Sequence, residues 1–327
     1  MKNLNYLSLY ETERKNINKI LSTAVKKRKP ESLYEPGSYI LNSSGKRLRP
    51  LLVLFSAKAV GGKFKNVYNA AAAVEMLHNF TLVHDDIMDN ADKRRGRLTL
   101  HKKYDNSTAI LTGDSLLSIA YEYLLKDCNG NAKEVISSFT HGLIEVCEGQ
   151  SLDTNFERRK NVSLSEYLLM IKKKTAAMAE MCCKIGALLG GGTKSQVIAL
   201  SKYGLNLGIA FQIQDDLLDI SADEIKFGKT IGGDLVEGKK TYLFLKALEK
   251  SRTDDKNRLM KVIERNGIRR NQVSRYKMIY EKLGVLNDAR REIKFYTQKA
   301  LKSINLLDEK NKKIFIWLAD SLIHRTS

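Results

Sequence analysis

Residues 67–89 read Val-Tyr-Asn-Ala-Ala-Ala-Ala-Val-Glu-Met-Leu-His-Asn-Phe-Thr-Leu-Val-His-Asp-Asp-Ile-Met-Asp. Apolar residues recur three and four apart with no strand-like alternation, which predicts a helix over 64–90. They cover most of its circumference, as in a helix surrounded by other helices. The run ends in Asp85-Asp86-Ile87-Met88-Asp89. Residues four apart on a helix sit about 40° apart in azimuth and about 6 Å along the axis, so Asp85 and Asp89 project side by side. Such neighbours repel unless a hard cation bridges them, and Mg²⁺ takes oxygen ligands and is usually shared with substrate phosphates.

The same pattern recurs at 199–220, where an equally apolar run closes on Asp215-Asp216-Leu217-Leu218-Asp219. Helical periodicity extends to 3–27, 50–61, 106–128, 131–155, 164–190 and 195–222, and to shorter pieces near 241–250, 254–265, 270–283, 286–303 and 308–325. Only Pro30, Pro36 and Pro50 interrupt the chain, and none follows; proline is the residue helix interiors tolerate least. The expectation is an all-α protein, a bundle with 64–90, 164–190 and 195–222 at its centre. No repeat or linker divides it, so 1–327 is read as a single domain. Three stretches of unusual charge are read as irregular: Ser43 to Pro50, Lys93 to Leu98 and Asp223 to Lys240.

The formal charge is +19, and residues 226–327 carry 25 Lys and Arg against 12 Asp and Glu, +13 of that total. These charges are interleaved with apolar residues at helical spacing, as on a solvated basic face. A nucleic-acid-binding helical protein is the rival that the charge suggests. It leaves two aspartate clusters on apolar helices unexplained. Cys128, Cys147, Cys182 and Cys183 lack metal-ligand spacing and no secretory peptide is legible before them, so the expectation is reduced thiols in a cytoplasmic protein. The best apolar stretch, Ala176 to Gly192, holds Glu180 and Lys184, and no transmembrane segment is expected.

A single Asp-Asp-x-x-Asp is a weak signal. Two copies are harder to explain as solvation, because burying six carboxylates without cations costs many kcal/mol. Basic motifs accompany them. Gly45-Lys46-Arg47-Leu48-Arg49-Pro50 is a glycine turn with three cations and a proline read as the first residue of the next helix. His78 lies two turns before Asp85 on the same face. Lys93-Arg94-Arg95-Gly96 brings forked guanidinium groups suited to phosphate. Lys174-Thr175 places a lysine inside a helix, where it needs an anionic partner. Phe211-Gln212 precedes the second cluster, with Gln212 on the face of Asp216. Lys229 and Lys239-Lys240-Thr241 flank Gly232-Gly233, which reads as a mobile cationic flap.

In this order the motifs resemble the trans-isoprenyl diphosphate synthases, the polyprenyl synthetase family that includes farnesyl and geranylgeranyl diphosphate synthases. The likeness runs from Gly45 to Thr241: Gly-Lys-x-x-Arg-Pro, the first aspartate motif with Arg-Arg-Gly after it, Lys-Thr, Phe-Gln-x-x-Asp-Asp-x-x-Asp and Gly-Lys-x-Thr. The resemblance implies a bundle of long helices around a deep central cavity, a homodimer, and a Mg²⁺-dependent prenyltransferase. It implies that Asp85, Asp86, Asp89, Asp215, Asp216 and Asp219 hold about three Mg²⁺ ions against an allylic diphosphate, assisted by Arg94, Lys174, Lys229 and Lys239. It assigns Lys46, Arg49, His78 and Arg95 to isopentenyl diphosphate, and Thr175 and Gln212 to the space between the two substrates. The aspartates are then ligands, not bases, and nucleic acid is no partner.

In that family the residues four and five before the first motif form the floor under the growing chain, here Thr81 and Phe80. An aromatic at the deeper position alone looks like the geranylgeranyl type, so a C20 product is expected. Farnesyl (C15) and longer-chain synthases remain alternatives. Terpene cyclases and head-to-head synthases share the aspartate-rich helix but lack Gly-Lys-x-x-Arg-Pro. A regulatory subunit of a heteromeric synthase is disfavoured because no motif position is missing.

Overall fold

The computed structural model describes residues 2–221 and 231–323. Helices dominate them: α1 (Lys2–Ala24), α2 (Glu31–Leu41), α3 (Leu48–Ala59), α4 (Tyr68–Met88), α5 (Leu100–Lys103), α6 (Asn106–Lys126), α7 (Ala132–Arg158), α8 (Leu164–Ile171), α9 (Ala177–Leu189) and α10 (Lys194–Ser221). Further helices follow at Gly233–Val236, Tyr242–Lys250, Thr253–Glu264, Val273–Lys282, Val285–Ser303 and Glu309–Ile323. The expected all-α architecture is borne out. Its chain contacts group into two compact units, each discontinuous in sequence. One comprises the residues up to His141, Met181–Ser201 and Leu306–Ile314; the other comprises Gly142–Glu180, Lys202–Asn305 and the residues from Phe315 on.

In the first unit α4 forms the core, as its composition predicts. Every residue from Ala70 to Asn79 is buried, and α4 packs most extensively on α6 and then α3. Its first turn is closed from outside the helix. Asp127 accepts from the Ala70 amide and from Asn69 Nδ2, both at 2.8 Å, which satisfies donors a helix start leaves open. Asp105 caps α6 by accepting from the Thr108 amide at 2.8 Å.

The second unit has its own core, in which Phe156, Tyr167, Met170, Ile213, Leu217, Phe244, Tyr280 and Ile293 pack together. A capping box starts α8: the Ser163 hydroxyl accepts from the Glu166 amide while the Glu166 carboxylate accepts from the Ser163 amide.

Several local expectations need correction. Helix α2 is absent from the helices that periodicity predicts, because Pro36 and Gly37 interrupt the pattern. Both are buried, and α2 rests on α6, where a Cβ on Gly37 would lie 3.9 Å from Thr112 Cγ2; tertiary packing overrides propensity there. Pro50 is the third residue of α3, not the first, still inside the turn whose amides lack helical partners. Lys93 to Leu98 is a hairpin of β1 (Lys93–Arg94) and β2 (Arg97–Leu98). Its two turn residues, Arg95 and Gly96, have φ of 52° and 76°, the left-handed pair that matches hairpin twist. Finally, the run expected as one helix over 164–190 contains a π-turn at Lys172–Ala176. Such bulges concentrate at functional sites.

Candidate active site

The first unit gathers the expected cationic residues around α4. Lys46 and Arg47 come from the loop entering α3 and Arg49 from its first turn, yet they diverge. Arg47, in a left-handed conformation with φ of 51°, turns inward and ion-pairs with Glu75 at 2.7 Å. Lys46 is exposed. The Arg49 guanidinium meets His78 Nε2 at 3.2 Å, which leaves the ring proton on Nδ1, a buried atom without a partner among the described residues. Arg95 donates from Nη1 to the Ser44 carbonyl at 2.6 Å. A Cβ on Gly45 would lie 2.8 Å from that guanidinium, so the glycine makes room for the arginine.

Burial holds His78 well below its ordinary value, and the charges of Arg49, Arg95, Arg94 and Arg47 add to it. The imidazole is neutral among four guanidinium groups. Burial also lowers Arg49 and Arg95, and Glu75 opposes this in both. The surroundings are therefore short of negative charge, as in a pocket built for an anion.

The first aspartate motif adjoins this pocket through the hairpin. Asp86 is only 2% exposed and accepts from Arg94 Nε at 2.6 Å; burial raises its carboxyl and Arg94 opposes the rise. Asp85 is half-buried, and Asp89, the C-cap of α4, is exposed. A narrow crevice lined by Ser43, Asn79, Asp86, Arg94, Arg95 and Thr99 joins the two groups. One turn and more toward the start of α4, Phe80 stacks edge-on against His84 at 4.6 Å. The Thr81 hydroxyl is turned to its own helix, donating to the His78 carbonyl at 2.8 Å.

The second unit holds the other motif. Asp216 is buried and accepts from the Tyr167 hydroxyl, from Gln212 Nε2 at 3.1 Å and from the Tyr242 amide at 3.0 Å. Gln212 in turn accepts from the Thr175 hydroxyl at 2.9 Å. The three residues singled out from sequence are thus one chain of hydrogen bonds, reached through the π-turn. Lys174 has the anionic partner it required: its Nζ donates to Asp153 at 2.5 Å. Lys173 is taken by Glu145 and Glu148 instead, and Lys172 is exposed.

Asp219 accepts from the amides of Gly233 and Asp234, each at 3.2 Å. The Gly232-Gly233 stretch expected to be flexible is thereby the start of a short helix tied to the motif. Lys239, paired with Glu237 at 2.7 Å, lines a cavity of about 410 Å³ with Asp153, Phe156, Glu157, Lys240 and Asn266. Lys229 lies outside the described residues.

One expectation is overturned. The six aspartates are not all buried: only the middle residue of each motif is, and each has protein partners. The electrostatic strain is greatest on a residue that no motif marks. Asp234 has its carboxyl pushed up to about 8 by burial and by the charges of Asp216 and Asp219; burial lifts Asp216 to about 6 and raises Asp219 as well. Oxygen donors whose charges raise Asp234 in this way fit a hard divalent cation, which would relieve their repulsion. Among the described residues, no three His, Cys, Asp or Glu side chains form a metal cage by themselves. Asp153, Tyr167 and Asp234 escape a reading of the sequence because their partners are 21, 49 and 15–18 positions away; only the need of Lys174 for an anion points to one of them.

Helical architecture, paired aspartate motifs and a cationic pocket together define an isoprenoid-synthase type of protein, and the chain belongs to the polyprenyl synthetase family, whose pattern it matches over residues 30–283. It is 38% identical over 330 residues to the geranylgeranyl diphosphate synthase of Sulfolobus acidocaldarius, covering 98% of this chain and 99% of that one. The geranylgeranyl diphosphate synthase of Methanosarcina mazei is 47% identical over 224 residues, 68% of this chain and 69% of its own. The crystal structure of geranylgeranyl pyrophosphate synthetase from Pyrococcus horikoshii superposes with a TM-score of 0.91 at 34% identity, covering 99% of this chain and all of that one.

Proposed function

We propose that this protein is a prenyltransferase that condenses isopentenyl diphosphate head to tail with allylic diphosphates, releasing pyrophosphate and ending at geranylgeranyl diphosphate. The observation that carries the reading is the cationic pocket around His78 beside the first aspartate motif. A second diphosphate needs such a pocket, and a cyclase with one diphosphate substrate does not. Lys46, Arg49, His78 and Arg95 bind isopentenyl diphosphate. Neutral His78 accepts from Arg49 and so aims that guanidinium at the anion. Arg94, Lys174 and Lys239, with Lys229, bind the allylic diphosphate and stabilise the charge that grows on it as its C–O bond lengthens.

Asp85, Asp86, Asp89, Asp215, Asp216 and Asp219 would hold Mg²⁺, about three ions, as carboxylate ligands. When bound, Mg²⁺ supplies Lewis-acid withdrawal of electron density from the leaving group. Tyr167, Gln212 and the Tyr242 amide fix the Asp216 carboxylate, so its ligand geometry is set before substrate arrives. Thr175 and Gln212 line the space between the substrates, where their mutual hydrogen bond leaves few loose polar groups to admit water.

The two units work as the single catalytic domain of 1–327. The chain acts as a homodimer: α6 exposes Ile110, Leu111 and Leu125, and exposed apolar side chains of this kind suit a second copy. Cys128, Cys147, Cys182 and Cys183 are in no disulfide, which accords with a cytoplasmic location. No helix among the described residues is long and apolar enough to cross a membrane.

The test is an assay of the purified protein with labelled isopentenyl diphosphate and each of the C5, C10 and C15 allylic diphosphates, with Mg²⁺ and with EDTA. Mg²⁺-dependent elongation to C20 is expected. No elongation from any primer would sink the proposal.

A further inference from the structure

The helix Val285–Ser303 buries one face and offers a second to solvent. Val285, Leu286, Ala289, Ile293 and Ala300 point into the core. Its acids do not compete on the outer side: Asp288 is buried against Lys250 at 2.6 Å, and Glu292 is half-buried. The exposed positions are Arg290, Arg291, Lys294, Phe295, Lys299 and Lys302, with Asn287 and Gln298 between them. At about 100° per residue these cations spread over roughly half the circumference and about 18 Å of length.

An aromatic ring sits among them. Phe295 is 50% exposed, packed edge-on to Tyr296 at 5.3 Å, with Lys299 Nζ 5.1 Å from its centroid. A solvated face gains nothing from a bare phenyl ring. At the boundary of a bilayer the same ring enters the headgroup layer while neighbouring cations meet lipid phosphates.

We infer that the outer face of Val285–Ser303 docks the enzyme on an anionic lipid bilayer surface. Charge complementarity names the partner: with Arg291 engaged by Asp288, four cations, Arg290, Lys294, Lys299 and Lys302, surround an aromatic anchor with no exposed acid on that face. The reaction supplies the reason, and in this the inference rests on the reading above: a product with a long prenyl tail leaves water for a bilayer, and an enzyme held at the surface delivers it there. The helix does not insert, because its apolar side is already buried in the protein. Docking is therefore electrostatic, reversible and weakened by salt.

The full-length protein is floated with phosphatidylcholine vesicles and with vesicles containing about one-third phosphatidylglycerol. Binding to the anionic vesicles alone is expected, falling at least about ten-fold in the Lys294→Glu/Lys299→Glu variant. The Lys15→Glu/Lys19→Glu variant makes the same change of charge on exposed positions of α1 and should bind within about two-fold of the parent. Three results overturn the inference: no binding to anionic vesicles, an equal loss in the α1 variant, or tighter retention by a DNA duplex at equal phosphate concentration. Prenyl transfer in vesicle-free buffer is measured alongside and is expected to be unchanged in both variants. If the parent protein shows no prenyl transfer, the functional reading falls while the vesicle result still decides the docking.

Discussion

Arg47 and Glu75, 28 positions apart, form an ion pair of 2.7 Å with both side chains at most 3% exposed. The guanidinium gives three further donors to Asn18 Oδ1 and to the carbonyls of Leu41 and Ser43. The loop that carries Lys46 and leads into Arg49 is therefore clamped to α4 by a residue of the same basic motif. Glu75 also opposes the lowering of Arg49 and Arg95, so one carboxylate serves three arginines.

Removing that carboxylate leaves a buried cation uncompensated, which costs about 3–5 kcal/mol. Glu75→Gln should lose stability on this scale in urea unfolding. Arg47→Met combined with Glu75→Leu should cost less than the two single changes added together. A loss below about 1 kcal/mol in Glu75→Gln would mean the pair is dispensable.

Gly149 permits the approach of α7 to the π-turn. A Cβ there would stand 2.2 Å from the Lys174 amide nitrogen and 2.5 Å from its Cα. Glycine to alanine inside a helix ordinarily stabilises by about 0.5–1 kcal/mol. Here the sign should reverse, with a loss of about 1–3 kcal/mol from forced separation of two backbones. Lys174 moves with its backbone, so the turnover of Gly149→Ala should fall along with its urea midpoint. A stabilised variant of normal activity would refute the close approach.

His78 makes stability depend on pH in a defined direction. Its folded value is held well below 6.5, chiefly by burial. Above about 6.5 neither state binds this proton; below it the unfolded chain does and the folded chain does not, so stability falls at up to about 1.4 kcal/mol per unit until the folded value is reached. Urea midpoints at about pH 7.5 and about pH 5.5 should therefore separate more in the substrate-free parent than in His78→Asn. Equal separations would show that His78 accepts a proton in the folded protein.

Phe80 sets the product length if it is the floor beneath the first motif. Its ring is fixed against His84 one turn away, while Thr81 leaves little bulk at the shallower position. Phe80→Ala should extend the products beyond C20, and Thr81→Phe should shorten them toward C15, both read by chromatography of the dephosphorylated products. An unchanged C20 product in Phe80→Ala would remove that residue from the floor.

Much of the architecture is legible in the spacing of residues along the chain. The helices at 106–128, 195–222 and 286–303 lie within a few residues of their expected bounds, because apolar spacing is a property of the local chain. The anion that Lys174 needs is implied by residue type and position, whereas Thr175 and Gln212 are brought to one place only by the family resemblance. Helix α2 is not legible, since its stabilising neighbour on α6 is some 70 positions away.

The sequence by itself determined most of the helical segments, α2 excepted, that two Asp-Asp-x-x-Asp motifs end apolar helices, and in what order the cationic motifs fall. Each is a matter of spacing along one strand of chain. Only the tertiary structure decided that Arg47 of three adjacent cations goes inward, that Asp86 and Asp216 alone of six aspartates are buried, and that Asp234 joins Asp216 and Asp219. Burial and electrostatic coupling depend on what distant residues bring alongside, and that information exists only once the helices have packed.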